Sequence, residues 1–193
     1  NQGAIEICRT GKEFDCKYSN FQSKKFSREQ YLNSFQEIVE KAQKPTLIHV
    51  NAFSALPSFE EKREFNLSEI KSKEELKESQ ASEKNSESII AFKQKKFNTL
   101  FTTKCSRGID FPGDTCRSVI FTKYPNPNVQ DTFWKVLQKT HPNFYWDFYK
   151  DKARRDFLQR IYRAVRSKDD HVFVMSPDSR VLDAVRELQI NGK

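Results

Sequence analysis

Five apolar stretches of five or six residues, Ala4–Cys8, Thr46–Val50, Thr99–Thr103, Arg117–Thr122 and His171–Met175, are separated by segments long enough to hold helices. Runs this short and this apolar read as strands, and parallel neighbours need a crossover of a dozen or more residues, usually helical. The alternation therefore predicts an α/β fold: a mostly parallel sheet with helices on both faces. Ser27-Arg28-Glu29-Gln30 is a capping box that opens a helix running to about Ala42. Its apolar positions Tyr31, Leu32, Phe35, Ile38 and Val39 fall at helical period. Ser72-Lys73-Glu74-Glu75 is a second box, opening a short exposed helix over Ser72–Gln80. Asn85–Lys96 offers Ile89, Ile90, Phe92 and Phe97 as one apolar face, and Asp178 caps a last helix through Gln189. Thr10–Lys25 reads as irregular, and residues 1–25 add little to the fold assignment.

At 193 residues the chain fits one domain with its own core. It begins with Asn1 and is expected to be a piece of a longer protein. No apolar run is long enough to span a bilayer and no signal-peptide pattern opens the chain, so a cytoplasmic or nuclear protein with no membrane partner is expected. The net charge of +8 is uneven. Residues 58–88 hold nine acidic and six basic side chains, so that 58–86 reads as a charged, partly exposed insertion or connector. Residues after 90 hold 20 basic and 11 acidic groups. A basic region of this kind suits a polyanionic partner, nucleic acid above all, although lysine excess also serves stability in thermophiles. Cys8, Cys16, Cys105 and Cys116 form no C-x-x-C pair and fit no zinc spacing. Reduced structural thiols are the expectation, with a disulfide or a metal site as alternatives.

Between residues 133 and 149 lie Phe133, Trp134, Phe144, Tyr145, Trp146, Phe148 and Tyr149. Aromatics beside basic residues can stack bases. The repeats Phe144/Phe148 and Tyr145/Tyr149, four apart, favour a packed core instead. His49 likewise reads as a packed strand residue rather than a ligand. The helix expected over Asp151–Val165 carries Arg160, Arg163 and Arg166 at spacings of three, which puts at least two guanidiniums on one face. The planar, permanently charged fork of arginine suits bidentate phosphate binding.

Two stretches together resemble motifs V and VI of superfamily-two helicases. Gln159…Arg163…Arg166 is similar to Q-x-x-x-R-x-x-R, and Thr102…Arg107-Gly108-Ile109-Asp110 to T-x-x-x-x-R-G-x-D. The continuation Asp110-Phe111-Pro112-Gly113, then a strand and Tyr124-Pro125-Asn126-Pro127, resembles the XPD/DinG branch of DNA helicases. Asp178-Ser179-Arg180 is similar to the D-x-R that follows motif VI there. The resemblance implies a RecA-like fold and an ATP-dependent DNA helicase. It gives Gln159, Arg163 and Arg166 to catalysis, with the two arginines acting on the ATP phosphates. It places Gly108 and Asp110 at the cofactor, beyond the carboxyl ends of the strands. Thr102, Thr103 and Asn51 would hold the backbone of single-stranded DNA. Tyr162 stands where the family has Gly, the feature that favours a non-catalytic nucleic-acid-binding or protein-docking module as the rival reading.

Gly11-Lys12 is no P-loop: no glycine stands five residues earlier, and Glu13 replaces the Ser or Thr that holds magnesium. The chain also has no Asp-Glu dipeptide. ATP and Mg2+ are therefore expected to be bound mainly by an N-terminal RecA-like lobe of the same protein. This lobe alone is expected to be inactive and to hold no metal of its own.

Overall fold

The structure, a computed structural model, describes residues 3–84, 86–103 and 109–191. Five strands, β1 (Ala4–Ile7), β2 (Thr46–His49), β3 (Thr99–Thr102), β4 (Ser118–Phe121) and β5 (His171–Met175), form one sheet in the order β1-β5-β4-β2-β3. Every pairing is parallel. The helices are α1 (Tyr18–Gln22), α2 (Arg28–Lys41), α3 (Phe59–Glu64), α4 (Lys73–Ser82), α5 (Glu87–Lys93), α6 (Thr132–Thr140), α7 (Tyr145–Tyr162) and α8 (Ser179–Asn191).

Alternate residues of the central strands enter two different cores. Leu47, Leu100, Val119, Phe121, Val172 and Val174 meet Phe92 of α5, Phe157 and Ile161 of α7, and Val181 and Val185 of α8. Ile48, Phe101, Ile120 and Met175 meet Phe35, Ile38 and Val39 of α2 and Leu76 of α4. Helices therefore cover both faces, which is why β2 and β4 are buried at every position and read as unbroken apolar runs. The expected RecA-like α/β architecture is the one observed.

The capping boxes at Ser27 and Ser72 are formed as expected: each hydroxyl accepts from the third residue's N–H, and that residue's side chain accepts in return. Two expectations are corrected and a third gains detail. Within Thr10–Lys25 the five-residue α1 forms, too short and polar to leave a periodic signal. The 58–86 stretch is charged outside but anchored inside, because Leu67, Ile70 and Leu76 are each buried and α3 has its own capping box on Ser58. Ile89, Ile90, Phe92 and Phe97 do not share one face. Ile89 and Phe92 turn inward, while Ile90, about 100° further round the helix, is 51% exposed, and Phe97 lies beyond the end of α5.

Candidate functional site

The site is built at the end of α7. Tyr145, Ala153, Phe157 and Ile161 are buried at intervals that are multiples of four, the inward stripe of the helix, and Phe157 rests on Phe121 with ring centroids 5.1 Å apart. The helix stops at Tyr162 and Arg163 is its C-cap, still in the right-handed region. The Arg163 carbonyl accepts the Phe111 N–H at 2.8 Å, so this end of the helix is satisfied by a different loop. Arg166 lies beyond the helix. The three arginines thus do not all lie on the helix.

Arg160 stays on α7, where its Nε is buried and, among the described residues, has no hydrogen-bond partner. Arg163 and Arg166, with Gln159 and Tyr162, line one open cleft on the outer side of the helix end. Asp110 forms an ion pair with Arg166. Both side chains are about half exposed, so a pair of this kind is worth only ~0.2–1 kcal/mol and holds Arg166 loosely.

Asp110 belongs to the loop that returns from β3 to the start of β4, and Gly113 of this loop donates to Asp170, the residue before β5. Asp110 accordingly sits with the Arg166–Asp170 turn, on the side where β5 begins, and not beyond the carboxyl ends of the strands. Gly113 has φ +59, a conformation in which a side chain is strained. Gly108 falls outside the described residues, as do Arg107 and Cys105.

Asn51, Thr102 and Thr103 gather at the opposite, carboxyl end of the sheet. Thr102 is level with His49 in the β2–β3 ladder, and Val50 donates to the Thr102 carbonyl at 2.8 Å. Asn51 is exposed, its N–H donating to Thr122 Oγ1 at 2.9 Å. The Thr103 hydroxyl donates to Gln80 Oε1 at 3.1 Å, so α4 of the charged stretch reaches the same edge.

Residues 18–190 match the family of the helicase C-terminal domain. The chain belongs to that family. No curated protein matches it. Among solved structures, the helicase lobe is similar to an XPD structure in its apo form, at 19% identity over 97% of this chain and 39% of that one, with a TM-score of 0.59. It is also similar to Xpd4 of S. tokodaii, again at 19% identity, over 97% of this chain and 37% of that one, with a TM-score of 0.60. At that identity the likeness establishes the fold, and the lobe spans about two fifths of the length of each structure.

Within this helicase lobe, two residues have surroundings that motif reading did not reveal, although the packing of His49 and the capping role of Asp178 were expected. The first is His49, 4% exposed and stacked on Phe121 at 5.1 Å, with Nε2 buried and, among the described residues, without a hydrogen-bond partner. Burial, then the charges of Arg160 and Arg163, hold its pKa well below the ordinary imidazole value. The proton is then bound in the unfolded chain but not in the folded one. This costs stability as pH falls below about 6.5, at most ~1.4 kcal/mol per pH unit for one proton. Thermal unfolding is expected to show Tm falling from pH 7 to pH 5, and His49→Leu should flatten that dependence. An unchanged slope in the variant would remove His49 as the cause.

The second is Asp178, fully buried, whose carboxylate gathers N–H groups from three separated segments. Its D-x-R pattern and its role as a cap were visible, since it accepts the Arg180 N–H near the start of α8, but its long-range contacts were not. Cys8, Cys16 and Cys116 are free thiols, and burial pushes Cys116 up to about 12, which keeps it protonated and unreactive. Among the described residues no three His, Cys, Asp or Glu side chains gather as a metal-binding group, and no helix is long and apolar enough to cross a membrane.

The aromatic stretch divides. Trp134, Tyr145 and Tyr149 interlock edge to face and are mostly buried, as the core reading expects. Phe144 and Phe148, one residue round the helix, are exposed together with Trp146 and Phe133, which corrects it for that second stripe.

Proposed function

We propose that this helicase C-terminal lobe is the second motor lobe of an ATP-dependent DNA helicase of the XPD/DinG branch. The observation that carries the reading is the single cleft lined by Gln159, Arg163 and Arg166, with the Asp110 loop bound beside it. Two guanidiniums at the rim of an open surface suit a triphosphate presented by another lobe. That the chain lacks a P-loop lysine and an Asp-Glu pair fits this division of labour, in which the N-terminal RecA-like lobe holds ATP and Mg2+. When the lobes close, Arg163 and Arg166 would neutralise charge developing on the transferring phosphoryl group, and Gln159 would orient the reacting end of the cleft. Arg166 exchanges its weak contact with Asp110 for the phosphate. Alone, the lobe lacks half of this arrangement and should not turn over ATP.

Single-stranded DNA is the proposed polymer. Asn51, Thr102 and Thr103 share one end of the sheet, and α7 extends about 18 Å beyond its contact with Phe121 on that side, at 1.5 Å per residue. That extension carries Phe144, Trp146 and Phe148 in the open, with Lys150 two residues on along the same helix and Lys135 and Lys139 on α6, none of them in an ion pair among the described residues. Exposed rings beside unpaired cations suit base stacking along a phosphate backbone. Binding of a labelled oligonucleotide should therefore be sequence-tolerant and should weaken with salt, with a slope of ~−0.7 per neutralised phosphate. Affinity that is flat with salt would instead support a protein-docking module, the reading that Tyr162 favours. A DNA helicase of this kind serves repair or related genome maintenance in the cytoplasm or nucleus.

A further inference from the structure

Asp170 is 7% exposed and uses both carboxylate oxygens on backbone donors. Oδ1 accepts the Gly113 N–H at 2.9 Å. Oδ2 accepts the N–H groups of Arg166 and Ser167, both at 2.7 Å. Its own carbonyl accepts the Ala4 N–H at 2.8 Å, which fixes the residue against the edge strand. These backbone bonds, that from Ser167 first, hold the carboxyl below its usual range, so it is charged at neutral pH.

The three donors come from two segments far apart in the chain, one just before β4 and one between α7 and β5. Gly113 lies three residues after Asp110, and the Arg166 N–H belongs to the cleft arginine itself. The chain therefore closes a ring: Asp110 to Gly113, across Asp170, back to Arg166, and from its guanidinium to Asp110. A second tie, Phe111 N–H to the Arg163 carbonyl, lies inside the same ring. Without Asp170, the Arg166 backbone has no polar anchor of its own among the described residues.

We infer that Asp170 is a positioning residue: by holding the Arg166 backbone against the Gly113 loop, it sets where the Arg166 guanidinium enters the cleft. The inference rests on the reading of Arg166 as a phosphate-contacting group. A charge-stabilising side chain works only in register, and a displacement of about 1 Å can cost on the order of 10²-fold in rate. Ground-state binding of ATP depends mainly on the other lobe and should be spared.

The test is DNA-stimulated ATPase of the full-length protein carrying Arg166→Ala, Asp170→Ala, Asp170→Asn, or Arg166→Ala with Asp170→Ala. Asp170→Ala should lower kcat by ~10–100-fold with KM for ATP changed less than about threefold. Asp170→Asn keeps one accepting oxygen and should lose less. The deciding result is the double variant, which should be no slower than Arg166→Ala alone, because Asp170 acts through Arg166. A general loss of folding would instead multiply the two effects. If Asp170→Ala does not fold, the same cycle run with Asp170→Asn decides. Should Arg166→Ala leave kcat normal, the phosphate reading of Arg166 fails and this inference falls with it. Should Arg166→Ala slow turnover while the Asp170 variants stay normal or act multiplicatively, the positioning role alone is overturned.

Discussion

Arg163→Ala in the full-length protein is expected to lower kcat for DNA-stimulated ATP hydrolysis by roughly 10³-fold or more, the range for arginine fingers. Folding and ground-state ATP binding should change far less, since the guanidinium acts on charge that appears only during transfer. The backbone bond from the Phe111 N–H to the Arg163 carbonyl is retained in the alanine variant. The comparison residue needs care. Arg160, three residues away, stands four residues after Asp156 on the same helix, a spacing that would allow an ion pair. Asp156 instead pairs with Lys152, and Arg160 Nε is buried beside His49. Arg186 on α8 is the better control, a half-exposed arginine 3.9 Å from Asp183, and Arg186→Ala should cost less than about tenfold. Steady-state rates for the two variants separate the cases. A near-normal Arg163→Ala would mean that the cleft binds no reacting phosphate, and the docking-module reading, with Tyr162 as its mark, would take over.

The sheet and most helices were legible because their signals are local. A capping box such as Ser27–Gln30 depends on four adjacent residues, and a strand buried on both faces, such as Thr46–His49, declares itself by composition. The site was legible only as a set of residue types. The spacing of Arg160, Arg163 and Arg166 implies a shared face only if the helix continues, and it ends at Tyr162; the next carbonyl, that of Arg163, accepts the N–H of Phe111, 52 residues earlier in the chain. Nothing near Arg163 encodes that partner. The same holds for Asp110, whose contact with Arg166 follows from the route of the returning loop. The 58–86 stretch shows the same limit: its Leu67, Ile70 and Leu76 are too sparse to show a period, yet each reaches a core. Long-range polar contacts leave no periodic trace, and they are what assemble this site.

Asp178→Ala should be the most damaging single change to folding, costing about 3–5 kcal/mol, the range for removing one partner of a buried ion pair. The carboxylate is fully buried and accepts the Cys16 N–H at 3.2 Å, the Tyr124 N–H at 2.8 Å and the Arg180 N–H at 3.2 Å. The Arg180 guanidinium also donates to it at 2.9 Å and reaches on to the Cys16 carbonyl at 3.2 Å. One side chain thus joins the segment before α1, the loop after β4 and the start of α8. Alanine leaves three N–H groups without this acceptor and the largely buried Arg180 cation with only the Cys16 carbonyl and the more distant Asp15, and each buried donor left unpaired costs ~1–3 kcal/mol by itself. For a chain of this size 1 kcal/mol shifts Tm by ~2–4 °C, so a fall of roughly 6–20 °C is expected in thermal unfolding followed by circular dichroism. Arg180→Ala should cost less, because the backbone donors keep their acceptor. Combining it with Asp178→Ala should recover part of the loss, since the unpaired cation is then gone as well. A Tm within about 3 °C of the parent for Asp178→Ala would mean that water enters to replace the carboxylate, and that the three segments are held by the apolar contacts around them rather than by this clasp.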